Sequence, residues 1–116
     1  MQNINVIVVP EMPEYIQDTT FHQSIYINSV LGEPNLKARN AKYIAPYWLT
    51  EQCVDRVYHI LGYQLADDGK SYVIELGNSF KLKENWNNMG NHRKFEYHNL
   101  LDFGFVEIKD GLLLSI

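Results

Sequence analysis

Two runs of β-branched and aromatic residues, Val54–Leu65 and Ser71–Leu82, constrain this chain more than any other feature. Between them lies Ala66-Asp67-Asp68-Gly69-Lys70, five residues of turn-forming type. Gly69 can take a positive φ without steric cost, and Asp67 or Asp68 can bond the backbone that follows it. The pattern predicts one long β-hairpin that the remaining segments cover or extend. One alternate set on the first strand is Val57, His59, Leu61, Tyr63 and Leu65. It is more apolar than Arg56, Tyr58, Ile60, Gly62 and Gln64, and so is expected to face inward. On the return strand, Gly77-Asn78 breaks an alternation that Phe80 and Leu82 resume, which predicts a bulge.

The flanks read as further short strands. Ile4–Val9 is a β-branched run stopped by Pro10. Phe21–Val30 is read as an extended segment on Ile25, Ile27 and Val30. Lys42–Leu49 is aromatic and β-prone, but Pro46 cannot donate to a ladder, so an edge or bulged strand is expected. Lys83–Asn91 reads as a polar loop with Trp86 in it. His92–Phe103 has the spacing of a helix, with Asn91 as its N-cap and Gly104 as its stop. Phe105–Ile108 and Leu112–Ile116 flank an Asp110-Gly111 turn. At 116 residues, a single domain over 1–116 is expected. The sum is a mainly β protein with one or two short helices, and so many short strands close most economically as a small barrel.

Composition bears on function by exclusion. The formal net charge of −4 gives no global attraction to a phosphate backbone. The charge is uneven, though. Met1–Leu36 carries only acidic residues, whereas Lys81–Lys94 holds Lys81, Lys83, Arg93 and Lys94 against Glu84 alone. Cys53 is the single cysteine, so an intramolecular disulfide and a thiol-only zinc site are both ruled out. With no basic leader at Met1–Asn5 and no apolar run long enough to span a bilayer, a soluble cytoplasmic protein is expected. No glycine-rich phosphate loop or Gly-x-Ser-x-Gly elbow occurs, and no cofactor is expected.

The hairpin and its flanks resemble the PUA-like superfamily, in particular its EVE and ASCH branches. The residues that carry the likeness are Lys42-Tyr43-Ile44-Ala45-Pro46-Tyr47-Trp48, then Asp55–Tyr63, Tyr72–Gly77 and Phe80-Lys81-Leu82. They cover about half of the chain. The resemblance implies a small PUA-like β-barrel with a shallow aromatic pocket. EVE-like and YTH-like members hold modified bases there, and ASCH-like members bind RNA or act as small amidohydrolases. The Thr-x-Lys and nearby Gly-Arg of the catalytic ASCH pattern are absent near the N-terminus, so hydrolase activity is not carried over.

Several side chains are candidates for a site. Tyr43, Tyr47, Trp48 and Trp86 offer stacking surfaces for a planar ligand, worth about 1–3 kcal/mol per base, or else they pack the core. Arg93 and Lys94, at the start of the expected helix, suit an anion beside free backbone N–H groups, or else form a solvated face. Glu107-Ile108-Lys109 has the Glu-x-Lys form of metal-dependent nucleases but lacks a well-placed acidic partner, and a strand end is the plainer reading. His92, Glu96 and His98 do not have the spacing of a helical zinc site, and no metal is expected. His59 is read as a hydrogen-bonded core residue, and Cys53 as a packing residue rather than a nucleophile.

Taken together, these residues point to a non-catalytic binding module for a nucleobase, a nucleotide-like group or nucleic acid, with an aromatic pocket beside a basic patch. A protein-interaction or regulatory accessory role is the alternative, and a small hydrolase or nuclease the second alternative.

Overall fold

The computed structural model describes residues 5–11, 17–18, 23–28, 41–65, 71–90 and 95–116, with the backbone alone for strand residues 11, 17–18, 23–28, 63–65 and 71–72. The described residues are mainly β. The strands are β1 (Val6–Glu11), β2 (Gln17–Asp18), β3 (Gln23–Asn28), β4 (Tyr43–Trp48), β5 (Val54–Leu65), β6 (Ser71–Trp86), β7 (Glu96–His98), β8 (Phe105–Lys109) and β9 (Leu112–Ser115). A 3-10 turn, Leu100–Phe103, precedes β8. Among the described residues, no helix is long and apolar enough to cross a membrane.

The hairpin forms as the sequence predicts. β5 and β6 pair antiparallel from Leu65↔Tyr72 to Val54↔Trp86, and the connecting turn lies outside the described residues. The return strand runs past Leu82 to Trp86, so Trp86 ends a strand rather than sitting in a loop. Between Tyr58↔Ser79 and Ile60↔Leu76, two steps on β5 oppose three on β6. The bulge expected at Gly77-Asn78 is therefore present, and it changes which side of the sheet β6 feeds. Ile74 and Leu76 join one core cluster, whereas Leu82 and Trp86 belong to the other, against which Phe80 also packs.

Seven strands make one mixed sheet in the order β2-β3-β6-β5-β4-β1-β7, and β8 and β9 make a separate ribbon. The sheet is open: β2 and β7 end it at opposite edges rather than pairing into a closed ring. Both faces are buried. Val6, Val8, Tyr43, Ala45, Tyr47 and Val57 point to one cluster, which the 3-10 turn and the ribbon cover through Leu100, Phe103, Phe105 and Leu113. Ile7, Val9, Ile44, Tyr58 and Ile60 point to the other. The expected inward set on β5 is thereby corrected. Tyr58 and Ile60 are buried and Leu61 is 55% exposed, because a sheet packed on both sides hides both alternations.

Two other expectations change for identifiable reasons. β4 is an inner strand, parallel to β1 and antiparallel to β5. Trp48 N donates to Cys53 O on the β5 side, so by the two-residue period the nitrogen of Pro46 faces that side as well. The β4–β5 ladder covers only Tyr43 and Ile44, so the N–H missing from Pro46 deprives the sheet of nothing. The helix expected over His92–Phe103 is replaced, in its described part, by β7 and the 3-10 turn. Val6, Ile7 and Val8 on the open edge of β1 take up His98, Tyr97 and Glu96 as strand partners, and that long-range pairing overrides the helical spacing. Gly104 does stop the helical turn, at φ 83° with its N–H bonded to Leu101 O.

Candidate functional site

The end of β6, the loop after it, the 3-10 turn and the last residues of β9 enclose an open groove of about 470 Å³. Trp86 and Phe103 supply its apolar wall, and Asn85, Asn87 and Asn88 bring amides to it. Lys83 adds one positive charge, and Glu84 and Asp102 add two negative ones. The size falls within the roughly 300–1,000 Å³ range of small-ligand sites, but the lining is more polar than usual.

The wall is braced from behind. Trp86 is tilted against Phe103, with ring centroids 5.1 Å apart, and meets His98 edge-on at 4.9 Å. His98 is held at both ring nitrogens: Nε2 lies 2.9 Å from Glu96 Oε1, and Nδ1 lies 3.4 Å from Asp102 Oδ2. Glu96 also accepts from Gly90 N at 2.7 Å, which ties down the loop carrying Asn87 and Asn88. Asp102 accepts from Asn99 N at 3.2 Å and so fixes the start of the 3-10 turn. Lys83 Nζ donates to Ile116 O at 2.8 Å across the groove. The strand assignment of β7 makes this possible, because Glu96 and His98 stand two residues apart on the same side of a strand.

Of the four predicted aromatics, Trp86 is the one among the described residues that borders this groove. Only 8% of its surface is exposed, so little of the indole is open for stacking. Tyr43 and Tyr47 share the buried cluster with Trp86 but lie deeper, at 0% and 2% exposure. Trp48 projects from the other alternation of β4, and its Nε1 donates to Asp55 Oδ1 at 2.7 Å. Burial pushes the Asp55 carboxyl up, but hydrogen bonds from Arg56 and Trp48 outweigh it and hold the group below its ordinary value. Arg93, Lys94 and His92 lie outside the described residues. The described segment that follows them is β7 rather than the expected helix.

No family model, no curated protein and no solved structure matches this chain.

A second polar cluster joins the ribbon to the sheet, and neither spacing nor motif announced it. The Tyr43 hydroxyl donates to Glu107 Oε2 at 2.6 Å and accepts from Gly111 N at 3.0 Å. Lys42 Nζ stands 3.8 Å from Glu107 and 3.5 Å from Asp110, and His59 Nε2 stands 3.8 Å from Asp110. Burial, reinforced by the bond to Glu107, raises the Tyr43 pKa far above its ordinary value. In sequence, the partners lie 64 and 68 positions from Tyr43. Glu107, the residue that invites a nuclease reading, is here a hydrogen-bond acceptor for a buried tyrosine. Among the described residues, no three His, Cys, Asp or Glu side chains are grouped to hold a metal ion. Burial, with Asp55 and Glu51 nearby, raises the Cys53 thiol pKa, the opposite of what a thiolate nucleophile needs.

Proposed function

We propose that this protein is a non-catalytic binding module that holds a nucleobase or a nucleotide-like group in the groove beside Trp86. One observation carries the reading: three asparagine amides, Asn85, Asn87 and Asn88, border one open groove whose wall is Trp86 and Phe103. Each amide presents a donor and an acceptor together, and that pairing is complementary to the edge of a base. The exposed margins of Trp86 and Phe103 give a bound group a small apolar contact beside the amides. At the groove, Lys83 is offset by Glu84 and Asp102, so the amides and the wall carry the base itself, and only the basic composition of Lys81–Lys94 speaks for a ligand that also bears phosphate. The resemblance of Lys42–Trp48 and the hairpin to the PUA-like superfamily, some of whose members hold bases, points the same way, although the sheet here is open rather than a closed barrel.

Because Trp86 is largely buried, truncating it would damage the fold along with any site. Asn87 is exposed, and its replacement tests binding cleanly. In a Trp48→Phe background, indole emission reports Trp86 alone. Titration with nucleosides, mononucleotides and short oligonucleotides should give saturable quenching. Asn87→Ala should weaken the interaction by about tenfold, a hydrogen-bond-sized loss, with an unchanged melting temperature. A flat titration of folded protein overturns the proposal.

A further inference from the structure

The β8–β9 ribbon is apolar on both sides. Phe105 and Leu113 face the core and are buried. The opposite side carries Val106 directly across from Leu114, with Leu112 and Ile116 two positions along β9 to either side of Leu114. Ile116 extends the ladder by donating its N–H to Gly104 O. Val106, Leu112, Leu114 and Ile116 are 38, 39, 55 and 64% exposed. Ile108, at the ribbon's bulge, adds 58%, and Leu101, on the turn leading into β8, adds 63%. A ribbon with a single buried face alternates apolar and polar residues; here aliphatic groups occupy the solvent positions as well.

We propose that this outer face is the contact surface of a symmetric dimer, occupied by the same face of a second copy of the chain. Area supports a second copy. The exposed aliphatics form a patch of several hundred Å², at or near the top of the ~300–600 Å² seen as the largest patch on ordinary monomers. Two such faces together hide about 1,000 Å², near the least area that a specific interface takes. Charge does not oppose that geometry. Lys109 has exposed Asp110 beside it at the turn end of the ribbon, and at the other end Asp102 and Lys83 both lie at the groove that Ile116 borders. Each end carries both signs, so a two-fold axis brings no block of like charge against itself. An interface at that lower limit is expected to be a weak one, a dimer in exchange with monomer. Leu101 and Ile116 also border the groove beside Trp86, so the second copy would stand at the groove's rim.

The test needs no ligand and so stands or falls separately from the binding proposal. Sedimentation equilibrium on the full chain, from about 1 μM to about 500 μM, should show a monomer–dimer equilibrium with a dissociation constant in the micromolar range. Leu114→Glu should weaken it at least about tenfold, with an unchanged circular dichroism spectrum. Val106→Lys, on the facing strand, should do the same and guards against one variant failing to fold. Leu61→Glu, which is equally exposed but lies on β5, should leave the equilibrium unchanged. A wild-type chain that stays monomeric across the range overturns the proposal. So does a dimer that both ribbon variants leave intact.

Discussion

Gly104 and Gly111 have nearly the same left-handed backbone, with φ of 83° and 81°, and differ in what surrounds them. A Cβ on Gly104 would meet nothing within 4 Å; one on Gly111 would come within 2.8 Å of the His59 imidazole. Alanine at either position bears the left-handed penalty of about 1–2 kcal/mol. Alanine at Gly111 also has to push back a ring packed at 5.4 Å on Tyr43, which adds about 1–3 kcal/mol. Urea denaturation should therefore rank Gly111→Ala clearly below Gly104→Ala. Equal losses would mean that His59 swings aside freely. Both glycines were legible as turn residues from the sequence. The close approach to His59 was not, because it joins residues far apart in the chain. The four candidate aromatics show the same limit. Residue type marks Tyr43, Tyr47, Trp48 and Trp86 as able to stack, but only the fold decides that each is at least nine-tenths buried.

Among the elements, the hairpin was the most legible because its evidence is local. Strand-forming residues, alternation and a turn of the right composition all lie within one stretch. The edge of β1 was not legible. It recruits Glu96–His98 from a segment whose spacing favours a helix, and the benefit lies in a pairing about ninety residues away in sequence. The bulge in β6 is legible and also consequential, because it passes the strand from one core cluster to the other. Asn78 is exposed, so Asn78→Ala should change stability by less than about 0.5 kcal/mol. Deleting Asn78 should instead rotate Phe80 and Leu82 to the wrong face and abolish a sharp thermal transition. If the deletion variant melts like wild type, the irregular stretch between Lys81 and Trp86, where β6 again exceeds β5 in length, has absorbed the shift.

At the scale of the whole molecule, a seven-stranded sheet and a two-stranded ribbon are held in register by apolar packing, by the pairs that Lys42 and His59 make with Glu107 and Asp110, and by the buried Tyr43 hydroxyl. Tyr43 reaches from β4 to Glu107 on the ribbon and receives Gly111 N at its turn. Removing the hydroxyl leaves that N–H without its acceptor, so Tyr43→Phe should cost about 1–3 kcal/mol at neutral pH. The same group makes stability depend on alkaline pH. In the unfolded chain Tyr43 ionises near its ordinary value of 10.0, whereas in the folded protein burial and Glu107 hold the proton well above that. Its contribution is therefore complete below pH 10. It declines as pH rises past 10, because the unfolded state releases the proton first. Wild-type unfolding free energy should fall between pH 10 and pH 12 with a slope of less than about 1.4 kcal/mol per pH unit from this group. Burial also raises the Tyr47 pKa, in the same direction, so Tyr43→Phe should flatten the alkaline slope without abolishing it. Denaturation curves at several pH values for both proteins decide the matter. Parallel slopes would show that the tyrosine hydroxyl is a bystander, and that apolar packing and the pairs of Lys42 and His59 hold the ribbon to the sheet without it.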